Sequence, residues 1–341
     1  MSEPPHALTP HVRREASGER AREPLEAVVH DLAALGPRPH GSPAHARARS
    51  LLSAALLDAG AVPYVGDDVA VDHPSGRTNL LAVVPGRQRH CRPLLLATHY
   101  DGAAESPGAG DNAAAAAVLT VVAALLAARS MERDVIVALV DGGDPSARAS
   151  ARARATPGRT RSQDAGAGHG LSVFLREQCR HDLKVGVLID RVGHRIDAAA
   201  SPELLVVGAE SEARLAPVLA SLHGALPTYA ALERRDVGDA PAADALRAHG
   251  VPYLWFSGGR MPWHRGPGDT PERLHRPSLD AAVALLMALT SRLSQVRLPG
   301  PAGEHDVGEL RRASWRRWST LPDGEPAPAD RKAAGRRLAW R

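Results

Sequence analysis

The chain has 341 residues, of which 44% are hydrophobic and only 3% aromatic, and its formal net charge is +4. This length fits one large α/β domain or two smaller ones, and it supplies enough apolar residues for a core. Its two cysteines, Cys91 and Cys179, exclude a disulfide-rich scaffold and argue against a cysteine-based zinc site.

The basic residues are concentrated in three arginine-rich segments, at 11–22, 148–161 and 311–341. Such segments are typical of solvated, disordered chain. A nucleic-acid surface combines basic residues with aromatic ones, and only residues 313–318 offer that combination, so we expect no nucleic-acid partner. Residues 1–20 lack the apolar stretch of a secretory signal, and no apolar run has the length of a membrane span. We therefore expect a cytoplasmic protein without a membrane partner.

Two helices open the predicted fold, after a segment at residues 1–22 that we expect to be disordered. The first helix covers 23–35, where apolar residues recur at helical spacing, and a Gly-Pro pair ends it. The second begins with Ser42 as its N-cap and Pro43 at its first helical position.

Strands and helices alternate along the rest of the chain. Apolar, β-branched runs predict strands at 62–71, 78–84, 93–98, 134–140, 185–189, 204–207 and 251–256. Helices are predicted at 113–128, 171–179, 210–223, 242–249 and 279–293. This alternation predicts an α/β fold with a doubly wound, mostly parallel mixed sheet and helices on both faces. One domain at 23–298 would hold these elements, with an arginine-rich insertion at 146–167 and a basic, disordered tail at 299–341.

Several of these strands end in a side chain that can bind a metal ion. His99 ends one strand, Asp144 follows the next, Asp190 ends the third, and His264 lies in the loop after the last. Asp111 opens the helix beside the first of them. Ligands of open α/β sheets gather at the carboxyl ends of the strands. Two histidines and three carboxylates suit zinc, although other divalent metals accept the same set, so the pattern indicates a metal centre.

The sequence resembles the co-catalytic zinc aminopeptidases and their relatives, the glutaminyl cyclases, over most of residues 25–290. Eight segments in order carry the resemblance: LGPRPHGSPAHARARSLL (35–52), NLLAVVPG (79–86), LLLATHYDG (94–102), PGAGDNAAAAAVL (107–119), VDGGDP (140–145), VLIDRVGH (187–194), GVPYLWFSGG (250–259) and WHRGPGDTPERL (263–274). It implies a zinc exopeptidase-like fold of the phosphorylase/hydrolase-like architecture. It also implies a peptide or small amino-acyl substrate.

The resemblance assigns metal ligation to five residues. Two zinc ions, or one as the alternative, would be held by Asp111 as the bridge, by Asp144 and His264 on one side, and by His99 and Asp190 on the other. Asp101 would hold the His99 imidazole in the right tautomer. Such a centre activates water and polarises the scissile carbonyl.

The sequence departs from the family at the catalytic base. The family carries Asp-Gly-Glu-Glu, in which the first Glu is the general acid/base and the second is a zinc ligand. Here the segment is Asp141-Gly142-Gly143-Asp144, so the ligand position keeps a carboxylate while the base position, Gly143, has no side chain. Glu105, in the loop after His99, is a candidate substitute base, and Asp141 is a weaker one. A Glu restored at position 143 would be the direct test.

A second departure lies before the last strand. The cyclases carry Asp-Asp-His-x-Pro-Phe where this chain has the alanine-rich segment 239–246, which argues against cyclisation of N-terminal glutamine. The resemblance therefore implies a zinc aminopeptidase-like hydrolase that removes N-terminal residues. The alternatives are a glutaminyl cyclase-like acyltransferase that forms pyroglutamate and a catalytically inactive metal-binding protein. None of these patterns predicts the oligomeric state.

Overall fold

The computed structural model describes residues 19–143, 169–194, 203–223, 229–237, 240–298 and 303–315. Asp144 and the predicted insertion at 146–167 lie outside the described residues, as do residues 1–18 of the predicted N-terminal segment.

A nine-stranded mixed sheet forms the centre of the fold. Its strands are β1 (Val62–Pro63), β2 (Ala70–Asp72), β3 (Thr78–Val84), β4 (Leu94–His99), β5 (Val135–Val140), β6 (Val185–Asp190), β7 (Leu204–Val207), β8 (Tyr229–Ala231) and β9 (Tyr253–Ser257). They lie in the order β1-β3-β5-β4-β6-β9-β7-β8, with β2 paired to β3. The four central strands β5, β4, β6 and β9 are parallel to one another, and the β3–β5 and β7–β9 pairs are antiparallel. The predicted doubly wound mixed sheet is thus confirmed.

The central strands are buried on both faces, because successive side chains of a strand point to opposite sides of the sheet. In β4, Leu94 and Leu96 join one apolar cluster, whereas Leu95 and Ala97 join the other. Continuous apolar strands such as Leu94–His99 and Val135–Val140 are what a sheet covered on both sides requires.

Helices cover both faces. The larger cluster lies under α1 (Glu19–Ala34), α2 (Pro43–Asp58), α3 (Ala114–Ala127), α5 (Leu215–His223) and α7 (Arg276–Gln295). The smaller one lies under α4 (Gly170–Val173), the π-helical turn Phe174–Gln178 and α6 (Pro241–Ala248). The helix predicted at 210–223 is divided, because Ala209–Ser211 forms a separate 3-10 turn before α5.

Helix α3 is the central helix of the larger cluster. Alanine at most of its first positions lets it approach the sheet closely, and it buries eleven of its residues. In the described part of the chain, one helical stretch, Ala109–Ala127, is long and apolar enough to cross a membrane. Its apolar window is 89% buried within the fold, as is typical of a core helix.

The segment after residue 299 was expected to be either disordered or loosely docked. Residues 303–315 are docked, because they include helix α8 (Gly308–Trp315), which packs against α5 and β8. Val307, Leu310 and Trp315 are buried there. The neighbouring arginines made the sequence pattern typical of solvated chain. The burial of these three apolar side chains outweighs the tendency of the arginines to stay in solvent. The folded unit therefore extends past residue 298.

Candidate metal centre

The parallel pairing of β4 and β6 brings His99 and Asp190 together. Leu94 lies opposite Val185 and Ala97 opposite Leu188, so the two strands end at the same edge of the sheet. There His99 Nε2 lies 3.6 Å from Asp190 Oδ1, and both side chains are buried.

Asp111 reaches the same point from a kinked turn that precedes α3. The turn follows Gly108, whose φ of +62° is easily adopted only by glycine, and the Asp111–Asn112 peptide is cis. The carboxylate of Asp269 fixes the turn by accepting hydrogen bonds from Gly110 N at 2.7 Å and from Asp111 N at 3.0 Å. Asp111 Oδ1 consequently lies 3.4 Å from His99 Nε2.

His264 lies on the other side of Asp111. Its Nδ1 is 3.4 Å from Asp111 Oδ2, so the two oxygens of Asp111 face different histidines. This arrangement is the one expected of a bridging carboxylate. The structure thus brings together His99, Asp111, Asp190 and His264, while the fifth predicted ligand, Asp144, lies outside the described residues.

The trio His99–Asp111–Asp190 fits a metal ion. One ligand atom from each residue lies within 4.8 Å of the others, and the measured separations of 3.4 and 3.6 Å match the spacing of about 3.4 Å between tetrahedral zinc ligands. Within the described chain, Asp111 Oδ1 and Asp190 Oδ1 are buried without a well-formed hydrogen bond. Buried carboxylate oxygens that lack proton donors are what a cation would satisfy.

The electrostatics of the trio are strongly coupled. Burial alone lowers the pKa of His99, but Asp101, Asp111 and Asp190 outweigh it and raise that pKa well above its ordinary value. Burial raises the pKa of Asp111, yet His99, His264 and Arg191 lower it below its usual range. The carboxylates therefore favour a positive charge at the position where the His99 ring faces them. A bound metal ion supplies that charge when it displaces the proton.

Asp101 contacts the opposite edge of the His99 ring. His99 Nδ1 lies 3.1 Å from the Asp101 carbonyl oxygen and 3.2 Å from Asp101 Oδ1. These contacts keep a proton on His99 Nδ1 and leave Nε2 facing the carboxylates of Asp111 and Asp190. Asp101 Oδ1 also accepts a hydrogen bond from Gly143 N at 2.9 Å, which ties the β4 and β5 loops together.

Gly143, which the sequence resemblance places at the family's base position, packs directly against His99. A Cβ atom at Gly143 would come within 2.2 Å of Cβ and Cγ of His99. In this backbone conformation a larger residue would displace the ring. The direct test that the sequence suggests, Gly143→Glu, would therefore disturb a metal ligand as well as supply a base.

The two candidate substitute bases lie in different environments. Glu105 is exposed in the loop between β4 and Gly108, and among described residues it has no hydrogen bond or ion pair to the trio. Its role remains a prediction. Asp141 is fully buried, and its carboxylate contacts His40 Nδ1 at 2.9 Å and accepts a hydrogen bond from Thr78 N at 3.1 Å. These contacts give Asp141 a supporting position.

Sequence reasoning gave no role to three residues beside the centre. Arg191 follows Asp190, and its Nη2 lies 2.8 Å from Asp190 Oδ2. Asp269 holds the Asp111 turn, and burial raises its pKa to about 6. His194 is buried next to Trp263, and burial lowers its pKa to about 4. All three occur in the segments that carry the family resemblance, which was the only signal for them.

A model of peptidase family M28 matches residues 79–290. The fold is shared with a glutaminyl cyclase from Tannerella forsythia (TM-score 0.60, 17% identity, 79% of this chain and 98% of that one). A Zn-dependent exopeptidase from Parabacteroides distasonis has the same fold (TM-score 0.60, 16% identity, 79% of this chain and 97% of that one). A leucine aminopeptidase precursor from Bacteroides thetaiotaomicron also shares it (TM-score 0.59, 16% identity, 81% of this chain and 97% of that one). No curated protein sequence shows a significant match to the chain.

Proposed function

Since the chain belongs to peptidase family M28, we propose that it is a zinc-dependent, aminopeptidase-like hydrolase that removes N-terminal residues from peptides. The observation that carries the proposal is the His99–Asp111–Asp190 trio, whose buried carboxylate oxygens converge with a histidine at tetrahedral spacing. A metal ion bound there would polarise the scissile carbonyl and activate water.

The surrounding residues position these ligands. Asp101 holds the His99 ring through Nδ1, and Asp269 holds the turn that carries Asp111. We propose Glu105 as the group that takes the proton in place of the missing Glu, because its loop follows His99 directly and its side chain is exposed. Without a fixed base, turnover should be slower by about 10²–10⁴-fold than with the usual Glu.

The test is hydrolysis of a panel of aminoacyl-p-nitroanilides by zinc-loaded protein. We expect slow cleavage that disappears on chelation, returns with zinc and is absent in His99→Ala. The matched control is His90→Ala, which removes an exposed histidine and should cleave like wild type. Loss of cleavage in Glu105→Ala with an unchanged metal content would support Glu105 as the base. Unchanged cleavage would eliminate it.

The glutaminyl cyclase alternative has weaker support from the residues beside the centre. A pocket beside His99 and Asp190 is lined by Ala240, Ala242 and Ala243, from the segment that replaces the cyclase Asp-Asp-His. Alanine side chains offer no hydrogen bond to a glutamine amide. Ammonia release from N-terminal glutaminyl peptides, in the absence of p-nitroanilide cleavage, would favour the cyclase instead.

The inactive alternative is favoured by Gly143, which leaves the base position without a carboxylate. A protein that keeps zinc but cleaves no substrate of either panel would support this alternative and would end the hydrolase proposal.

A further inference from the structure

Arg191 is fixed by its backbone at the edge of the metal centre. Its N–H donates to Asn112 Oδ1 at 2.9 Å, and its carbonyl accepts from Gly258 N at 3.0 Å. Its φ of +49° is uncommon for a residue with a side chain. An unusual backbone conformation persists when the surroundings enforce it, and such residues concentrate at functional sites.

The Arg191 side chain lies against a predicted metal ligand. Nη2 is 2.8 Å from Asp190 Oδ2, and the two side chains are only 1% and 6% exposed. The other oxygen of Asp190, Oδ1, faces His99 Nε2. Asp190 therefore presents one oxygen to the trio and the other to a guanidinium.

The guanidinium lies on the His264 side of the centre. Arg191 lines one cavity with Asp111, His264 and Asp269, whereas His99 and Asp190 line the separate alanine-walled pocket. The place next to Asp111 Oδ2 and His264, where the family resemblance puts one of two zinc ions, is therefore next to a permanent positive charge.

A charge count distinguishes one ion from two. Among the described residues, four buried carboxylates lie at or beside the centre, those of Asp101, Asp111, Asp190 and Asp269, and two buried guanidinium groups face them, those of Arg38 and Arg191. One divalent ion balances the two negative charges that remain, whereas two divalent ions leave two positive charges in excess. Uncompensated charge in a buried site is costly.

We propose that Arg191 takes the place of the second metal ion, so that the centre tightly binds a single divalent ion between His99, Asp111 and Asp190. The inference rests on the metal centre of the proposed function but is independent of the reaction. In this proposal Arg191 neutralises the negative charge of Asp190 on the side of the centre where His264 lies.

Zinc content per folded chain, after dialysis against a small excess of zinc, tests the proposal. We expect about one ion in wild type and about two in Arg191→Met, which keeps the side-chain length without the charge. The second ion should bind at least about tenfold more tightly in Arg191→Met than in wild type, because a nearby unit charge is removed. Arg191→Lys keeps the charge and should stay at one ion. Arg311→Met removes the charge of a largely buried arginine that pairs with Glu233, away from the centre, and should also stay at one.

Two histidine variants locate the remaining ion. His99→Ala should lose it, whereas His264→Ala should keep about one ion per chain. The opposite result would overturn the proposed location.

The outcomes separate this inference from the proposed function. Two equally tight ions in wild type would overturn the role of Arg191 and leave the hydrolase proposal standing. One ion with no hydrolysis would overturn the hydrolase proposal alone, and a chain without metal would overturn both. If Arg191→Met fails to fold, the number of zinc ions bound by wild type and by the two histidine variants still tests the proposal.

Discussion

Two buried histidine–carboxylate clusters lie near the carboxyl edge of the sheet, and they differ in how their oxygens are satisfied. In the trio His99–Asp111–Asp190, carboxylate oxygens face the histidine at 3.4 and 3.6 Å, too far for hydrogen bonds. In the second cluster, Asp141 contacts His40 at 2.9 Å and His45 at 3.2 Å.

The Asp141 cluster is saturated with proton donors. Thr78 N donates to Asp141 Oδ2, and Arg77 Nη1 lies 3.7 Å from Asp141 Oδ1. Each oxygen of Asp141 has a donor within hydrogen-bond distance, whereas Asp111 Oδ1 and Asp190 Oδ1, the oxygens that face His99, have none among the described residues. Ligand-type residues within reach of one another therefore do not suffice for a metal site, since the oxygens must also lack protein donors. We therefore propose metal binding at the trio and a structural role for the Asp141 cluster.

His99→Ala should have the largest effect, because it removes the nitrogen on which the trio converges. We expect hydrolysis to fall by more than about 10²-fold. That figure is the upper end of the loss seen when a residue that only supports a ligand is removed. Metal content by elemental analysis should fall with it. His45→Ala is the counterpart in the Asp141 cluster, and loss of metal there would contradict the distinction between the two clusters.

Asp141→Ala should destabilise the fold while leaving the metal content unchanged. Removing one partner of a buried ionic network costs about 3–5 kcal/mol, because the remaining charged groups stay buried without compensation. Urea denaturation gives the change in the free energy of unfolding. A mild loss of stability together with loss of zinc would make Asp141 a ligand instead.

Asp101→Ala should weaken zinc binding by about 10–100-fold through the loss of the support at His99 Nδ1. Competition with a chelator of known affinity measures this change. Asp72→Ala, which removes a carboxylate that accepts from Thr78 Oγ1 away from the trio, is the control and should bind zinc like wild type.

Gly143→Ala should cost about 1–3 kcal/mol of stability, because its Cβ would overlap the His99 ring and force the loop or the ring to move. Thermal unfolding checks the change in stability, and zinc affinity should fall in parallel. Gly303→Ala, whose Cβ would meet only the far end of His305 at 3.4 Å, should be nearly neutral. A neutral Gly143→Ala would mean that the loop has room for a restored base.

The smallest expected effect is the loss, in acid, of the stability that the Asp141 cluster contributes. Burial raises the pKa of Asp141, but His40 and His45 outweigh it and hold that pKa below its usual range. A depressed carboxyl pKa stabilises the fold above the unfolded-state value of about 4, and this contribution is lost as the pH falls below it. The difference in unfolding free energy between wild type and Asp141→Asn should therefore shrink below about pH 4. A constant difference would exclude the ionised form as the source of stability.

The sequence was sufficient to predict that His99, Asp111, Asp190 and His264 come together, because strand ends follow from apolar runs. Their ligation of a metal ion stays a prediction. Once β4 and β6 are parallel neighbours, His99 and Asp190 meet without further information. Glu105 and Asp101 could be assigned only as candidates, because a loop position does not fix the direction of a side chain.

Other features depend on backbone details that a residue pattern does not encode. The Arg191–Asp190 contact requires a positive φ at Arg191, and the contact of Gly143 with His99 depends on how two loops cross. Strand β8 has three residues, too few for a periodic signal. Helix α8 was missed because its buried Leu310 and Trp315 are separated by polar and basic residues.

Helix α8 also determines how the last strand of the sheet ends. On the outer side of β8, Ala231 N donates to Ser314 Oγ at 2.9 Å, and the Ala231 carbonyl accepts from Trp315 Nε1 at 2.7 Å. An uncovered edge strand is a template for pairing with another chain, and proteins commonly cover such edges. The short segment that ends at Trp315 thus protects against self-association, and a chain cut after residue 298 should aggregate through β8.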